Sequence, residues 1–357
     1  MRVLVVQTGF LGDLVLTTPL LRELRRLPQV RIDVVSTPAG AELFGGLPWV
    51  DEAICLDKAR AGPRAVVRLG LRLRRGRYDV AVAAHRSHRS GLLVRMSGAP
   101  RRIGFRGAPG AWAYTVSVPR KSASHAVRRY LALAAPLGAS PSTADPRPEL
   151  RPGSRAVRRA DRLLEAHGVR DEERLLAIAP GSVWATKRWL PERFAEVADA
   201  GWELGLRPLL LGSAGERIQC RGIAERCSAP VVVLAGRTGV AELAALLLRT
   251  VALVSNDSGP AHVASAVGRP VIAVFGPTVP SMGYAPVGSA NHIVEHPGLG
   301  CRPCSRHGTR RCPLGHFRCM REIPAERVVA RLRRLLAAPP MRRRATGGTA
   351  PAARRRG

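Results

Sequence analysis

The feature that most narrows the fold is an alternation that occurs twice. Short aliphatic and β-branched runs are each followed by a longer stretch whose apolar residues recur at helical spacing. In the first half, Arg2–Val6 (RVLVV), 31–36 (RIDVVS), 53–56, 78–84 and 101–105 read as strands. Arg-rich helical stretches separate them, the first running from about Asp13 to Leu27 with Leu14, Leu16, Leu20, Leu21 and Leu24 on one side. The passage 138–153, GASPSTADPRPELRPG, is dense in Pro, Ser and Gly and reads as a linker. Beyond it the alternation restarts, with strands at 175–180, 208–212, 231–236, 251–255 and 270–276 and helices near 156–167, 191–203, 215–227, 240–248 and 259–267. Such alternation builds parallel sheets covered by crossover helices. We therefore expect an α/β protein with one Rossmann-like domain at 1–150 and a second at 151–338, their parallel sheets facing across a cleft. A length of 357 residues with 46% hydrophobic content is enough for two such cores. Sheets of this kind bind ligands beyond the carboxyl ends of their strands, so chemistry belongs in the loops that face the cleft.

Three loops qualify. In the first, Asn256-Asp257-Ser258-Gly259-Pro260 ends a strand and opens a helix, with Ser258 or Gly259 as N-cap and Pro260 in the first turn. Unpaired amides and the positive end of the helix dipole suit a diphosphate there, and Asp257 suits the hydroxyls of an attached sugar. The same residues also serve simply to cap a helix, with His262 filling its first turn, and from this loop alone both readings stand. In the second, PGSVWATKRWLPERF (180–194), the second glycine of a P-loop is missing, so that motif is rejected. Ser182, Thr186, Lys187 and Arg188 remain at the mouth of a strand to hold phosphate oxygens. Lys187 stands out because only Lys58, Lys121 and Lys187 among the 57 basic residues are lysines, and an ammonium is a compact point charge where a guanidinium is a planar fork. In the third, QTGFLGDLVLTTP (7–19), there is no G-x-G-x-x-G, which removes the nicotinamide-binding fingerprint. Asp13 opens the following helix. It either complements the helix dipole or projects into the cleft as a general base.

Net charge is +31. Residues 339–357 hold six Arg and no acidic residue, so they account for +6 of it and read as a disordered basic tail. A field of this sign attracts anions: nucleic acid, acidic lipid headgroups or phosphorylated sugars. With 4% aromatic residues and no recognised nucleic-acid motif, a nucleic-acid partner is not expected, and a nucleic-acid-binding protein is only the remote alternative. No apolar run approaches the roughly 18 residues of a membrane span. The opening MRVLVVQTGF is too short for a signal sequence, and a cytoplasmic protein is the expectation.

Taken together, "GFLGDLVLTTPLL", "KRWLPERFAEVA", "LLLGSAGER", "SNDSGPAHVASAVGRPVIAVFGPT" and "CRPCSRHGTRRCPLGHFRCM" resemble, in that order, glycosyltransferase family 9, the ADP-heptose:lipopolysaccharide heptosyltransferases. The resemblance covers about residues 1–338 and leans toward the heptosyltransferase II branch. It implies a GT-B fold, donor binding by the C-terminal domain, and inverting transfer of heptose from ADP-L-glycero-D-manno-heptose without a catalytic cofactor. The implied acceptor is the anionic inner core of lipopolysaccharide, with peripheral contact at the cytoplasmic face of the inner membrane. Arg-rich stretches such as 86–106 either guide that acceptor or form a solvated face. Residue by residue, the resemblance makes Asp13 the base, Lys187 the cation on the donor, Glu216 the ribose ligand and Asp257 the donor-sugar ligand. It assigns Ser258, Gly259 and His262 to the phosphate-binding helix start and Ser182 to a phosphate contact, although Val183 follows where some members have a second hydroxyl. A family member with another donor or acceptor remains the alternative.

Cys301, Cys304, Cys312 and Cys319 form C-x2-C-x7-C-x6-C with His307 and His316 nearby, close to metal-ligand spacing. In a reducing compartment this favours either free thiols or a structural metal, zinc or iron, that staples a loop without joining the chemistry.

Overall fold

A computed structural model, describing residues 1–120 and 124–338, contains two six-stranded, wholly parallel sheets with helices on both faces. The first sheet comprises β1 (Arg2–Gln7), β2 (Arg31–Ser36), β3 (Glu52–Cys55), β4 (Val80–Ala83), β5 (Arg101–Phe105) and β6 (Val116–Val118). Its helices are α1 (Leu11–Arg25), α2 (Pro38–Gly45), α3 (Pro63–Arg75), α4 (His88–Met96) and α5 (Ala126–Leu131). After the 138–153 passage come α6 (Ser154–Glu165), β7 (Leu175–Ala179), α7 (Pro191–Glu203), β8 (Arg207–Leu210), α8 (Arg217–Ala224) and β9 (Val232–Val233). Then follow α9 (Val240–Arg249), β10 (Thr250–Asn256), α10 (Gly259–Ala266), β11 (Val271–Phe275), β12 (His292–Glu295), α11 (Arg318–Arg321) and α12 (Ala325–Ala337). The expected basic tail at 339–357 lies outside the described residues.

Strand order is β3-β2-β1-β4-β5-β6 in one sheet and β12-β11-β10-β7-β8-β9 in the other. Counted from its own first strand, the second sheet repeats the order of the first, so each has a topological switch point, between β1 and β4 and between β7 and β10. Loops leaving these strands diverge to opposite faces and open a crevice at the carboxyl edge. The two Rossmann-like sheets thus form the expected GT-B arrangement.

The apolar pattern explains how the halves join. One core cluster runs through both domains, from Val3, Val5 and Leu20 on β1 and α1 to Ala261, Val263 and Phe275 on α10 and β11. The outer faces have separate cores. Leu4, Val6, Val66, Leu69 and Leu93 lie under α3 and α4, and Leu176, Phe194, Ile223 and Leu332 lie under α7, α8 and α12.

Differences from the sequence reading are local. Helix α1 begins at Leu11, ahead of Asp13, and continues through Pro19 because the Thr18 hydroxyl donates to Val15 O (2.8 Å), taking the place of the amide that proline lacks. The helix expected at 215–227 is a 3₁₀ turn, Ala214–Glu216, followed by α8, because a Ser213/Glu216 capping box closes the turn separately. Strands β6 and β12 were not anticipated. Both are short edge strands, half exposed, with too few residues to show a period.

Candidate active site

All three loops singled out in the sequence leave switch-point strands: Asp13 follows β1, Lys187 follows β7, and Asp257 follows β10. Together they line a cavity of about 620 Å³ between the domains, whose walls include Phe10 to Asp13, Gly181 to Trp184, Lys187, Glu216, Asp257 to Pro260 and His262.

Close packing at two glycines sets the distance between the domains. A Cβ on Gly12 would stand 2.8 Å from His262 Cδ2, and one on Gly259 would stand 2.9 Å from Leu11 Cβ. The N-termini of α1 and α10 therefore touch across the cleft, which brings Asp13 beside the helix start at 258–262.

On the C-terminal side Lys187 Nζ donates to Asp257 Oδ2 at 2.5 Å, and the Thr278 hydroxyl donates to the same oxygen at 2.7 Å. Both charged side chains are largely buried, at 13% and 8% exposed. Asn256 braces the two loops that carry them, since its Nδ2 donates to Pro180 O (2.7 Å) and its Oδ1 accepts from Trp189 N (3.0 Å). Ser258 is the N-cap of α10, but its side chain makes no capping hydrogen bond. Its hydroxyl and His262 Nδ1 are buried polar atoms with no partner among the described residues. Burial pushes the His262 imidazole down to about 4, with the charges of Asp257 and Asp13 opposing. It is neutral at pH 7.

Ser182 and Glu216 also line the cavity. Glu216 Oε2 accepts from the Ser213 amide and hydroxyl (2.7 and 2.8 Å), while Oε1 lies against Gly181, where a Cβ would stand 1.8 Å away. Only glycine at 181 leaves room for this carboxylate.

Thr186 departs from the expectation of a phosphate-holding hydroxyl. It is buried and is not among the residues lining the cavity. Its hydroxyl donates to Thr309 O (2.9 Å) and accepts from Thr309 N (2.8 Å), lacing the Cys-rich segment to the Lys187 turn. That segment carries Arg306 and His307 into the cavity wall, a role that the spacing of its cysteines and histidines does not signal.

The structural metal expected at Cys301, Cys304, Cys312 and Cys319 is also corrected. Among the described residues no group of three or more His, Cys, Asp or Glu side chains is arranged to hold a metal ion. The thiols are near enough that, after burial, they raise the pKa of Cys304 and Cys319, but they turn to different neighbours: Cys301 Sγ is 4.0 Å from His316 Nε2, Cys304 Sγ is directed at Pro277 O (3.9 Å), and Cys319 is packed in the core with Met320 and Ile323.

Across the cleft, Thr17 Oγ1 donates to Asp13 O (2.7 Å) and accepts from Gln7 Nε2 (2.7 Å), fixing the first turn of α1. Lys58 donates to Thr8 O; burial and then Arg89 lower its pKa while Asp13 raises it, so a second ammonium shares the electrostatic surroundings of Asp13.

Residues 66–314 match the family model described as glycosyltransferase family 9 (heptosyltransferase). Lipopolysaccharide heptosyltransferase 2 of Salmonella typhimurium is 31% identical over 299 residues, covering 78% of this chain and 84% of the relative. The Escherichia coli K12 protein of the same description is 30% identical over 293 residues, with 78% and 84% covered. Among solved structures, a family 9 glycosyltransferase from Veillonella parvula superposes with a TM-score of 0.82 at 26% identity, covering 94% of this chain and 97% of that one. The E. coli ADP-heptose lipopolysaccharide heptosyltransferase II superposes at 0.77 with 27% identity, covering 94% and 98%.

Proposed function

Because the chain belongs to glycosyltransferase family 9 and is a glycosyltransferase, we propose that it moves heptose from ADP-L-glycero-D-manno-heptose to the inner core of lipopolysaccharide with inversion. The observation that carries the donor side is the pair of unpartnered buried atoms, Ser258 Oγ and His262 Nδ1, at the positive end of α10 beside Lys187. Orphaned polar atoms at a helix N-terminus are complementary to phosphate oxygens. The diphosphate lies there, the donor sugar reaches Asp257, and the ribose hydroxyls reach Glu216 Oε1. Ser182 adds a hydroxyl to the phosphates, whereas Thr186 supports the wall from behind.

Asp13 accepts the proton of an acceptor hydroxyl as its oxygen attacks the anomeric carbon. The bond from that carbon to the phosphate oxygen breaks, and ADP leaves with its new charge held by Lys187 and the amides of Ser258 and Gly259. No metal is needed for this step.

The acceptor side is cationic. Between residues 58 and 144 there are eighteen Lys and Arg and a single carboxylate, Asp79, which suits an anionic inner core. On the outer face of α3, Val67 and Leu71 are exposed among Arg64, Arg68 and Arg72, which favours peripheral contact with an anionic membrane from the cytoplasmic side. Among the described residues no helix is long and apolar enough to cross a membrane.

Thermal shift with ADP, UDP and GDP tests the donor assignment. ADP raises the melting temperature and UDP does not; stabilisation by UDP alone overturns it.

A further inference from the structure

The Tyr130 hydroxyl donates to Asp13 Oδ1 at 2.8 Å, and the ring is buried against Phe105 at a centroid distance of 6.4 Å. The two residues are 117 positions apart, and nothing in the assignment above uses the tyrosine. We propose that Tyr130 is the positioning residue of the reaction: its hydroxyl occupies one carboxylate oxygen of Asp13 and so presents the other, Oδ2, to the acceptor hydroxyl. This rests on the reading of Asp13 as general base.

Three observations support it. Burial and then the Asp13 charge raise the Tyr130 phenol well above its ordinary pKa, so it keeps its proton and remains a donor. The backbone of Asp13 is fixed by the Thr17 hydroxyl, itself held by Gln7, and Gln7 also hydrogen-bonds the Tyr130 hydroxyl; what Tyr130 adds at Asp13 is the rotation of the carboxylate about its last bond. Helix α5, which carries the tyrosine, is itself clamped by the other domain. His125 Nε2 donates to Ala285 O (2.9 Å), Ala126 N donates to Gly283 O (2.8 Å), and the Arg129 guanidinium lies 4.8 Å from the Tyr284 ring centre. The donor that aims the base is therefore anchored to both walls of the cleft.

A base held by a second group loses rate when it can rotate, because productive geometry is then one of several. Tyr130→Phe keeps the buried ring and removes only the donor. ADP release from ADP-heptose, with truncated inner-core lipopolysaccharide as acceptor, should show kcat reduced about tenfold or more while KM for both substrates and the melting temperature hold. In an Asp13→Asn background the same substitution should have no further effect on residual turnover. Parental kcat in Tyr130→Phe with an inactive Asp13→Asn overturns the positioning role and leaves Asp13 as base. An equal fold-loss in both backgrounds overturns it too, since the effect then comes through the fold. Parental turnover by Asp13→Asn removes the base itself.

Discussion

Replacing Lys187 with Ala separates an ion pair that the structure shows from the phosphate contact proposed for the same ammonium. It neutralises Asp257 at 2.5 Å, and it lines the cavity to which the proposed function assigns the diphosphate. Two unit charges about 4 Å apart at an effective dielectric near 20 interact by about 4 kcal/mol, so the loss removes an attraction of that order for the leaving phosphate. It also leaves the Asp257 carboxylate, 8% exposed and still accepting from Thr278, as an uncompensated charge beside the proposed donor. Water entering the vacated space reduces both effects, and a net loss of about 3 kcal/mol, or about a hundredfold in kcat/KM for ADP-heptose, is the expected outcome. The repulsive part has its own signature: adding Asp257→Asn to Lys187→Ala should recover part of the ADP affinity measured by calorimetry, although transfer stays slow. A Lys187→Ala enzyme within about threefold of the parent refutes the reasoning, as does a double variant whose ADP affinity falls by the product of the single losses.

Gly181→Ala places a methyl 1.8 Å from Glu216 Oε1 and forces the carboxylate aside; ADP should bind about tenfold more weakly by calorimetry with the melting temperature nearly unchanged, one charged hydrogen bond being lost. Thr186→Val strands the Thr309 amide and leaves the segment bearing Arg306 and His307 tied here by the backbone bond from Thr186 N to Thr309 O (3.1 Å); denaturant unfolding should show a loss of about 1–3 kcal/mol, with slower heptosyl transfer. Acidification should destabilise the fold through His262. The unfolded imidazole takes up a proton near 6.5 while the folded one waits until about 4, so its contribution is complete above 6.5 and is lost as pH falls through that window. This amounts to about 3 kcal/mol at most, and a His262→Gln protein should show a shallower fall in melting temperature between pH 7 and pH 4; equal slopes contradict it.

What could be read from the chain follows the range of the interactions concerned. The β7–α7 and β10–α10 loops were legible because Gly, Pro, Asp and Ser punctuate them locally, and the bounds expected for α7 match those found. That the loops share one crevice followed from the doubled alternation, since parallel sheets place strand ends on one edge. Other features depend on partners distant in sequence. Tyr130 reaches Asp13 from α5, Thr186 is occupied by Thr309 across 123 residues, and Arg306 enters the cavity on a segment whose local pattern signals only its cysteines. The cysteine spacing misled because ligand geometry is a matter of where the thiols point, and Cys319 points into the core.

The central claim is that a carboxylate of the first domain works on a donor held by the second. Measuring ADP binding and heptosyl transfer on one Asp13→Asn preparation tests it most directly. ADP should bind as tightly as to the parent, because Lys187, Glu216 and α10 are untouched, while transfer falls by about two orders of magnitude or more. Transfer at the parental rate would contradict the account.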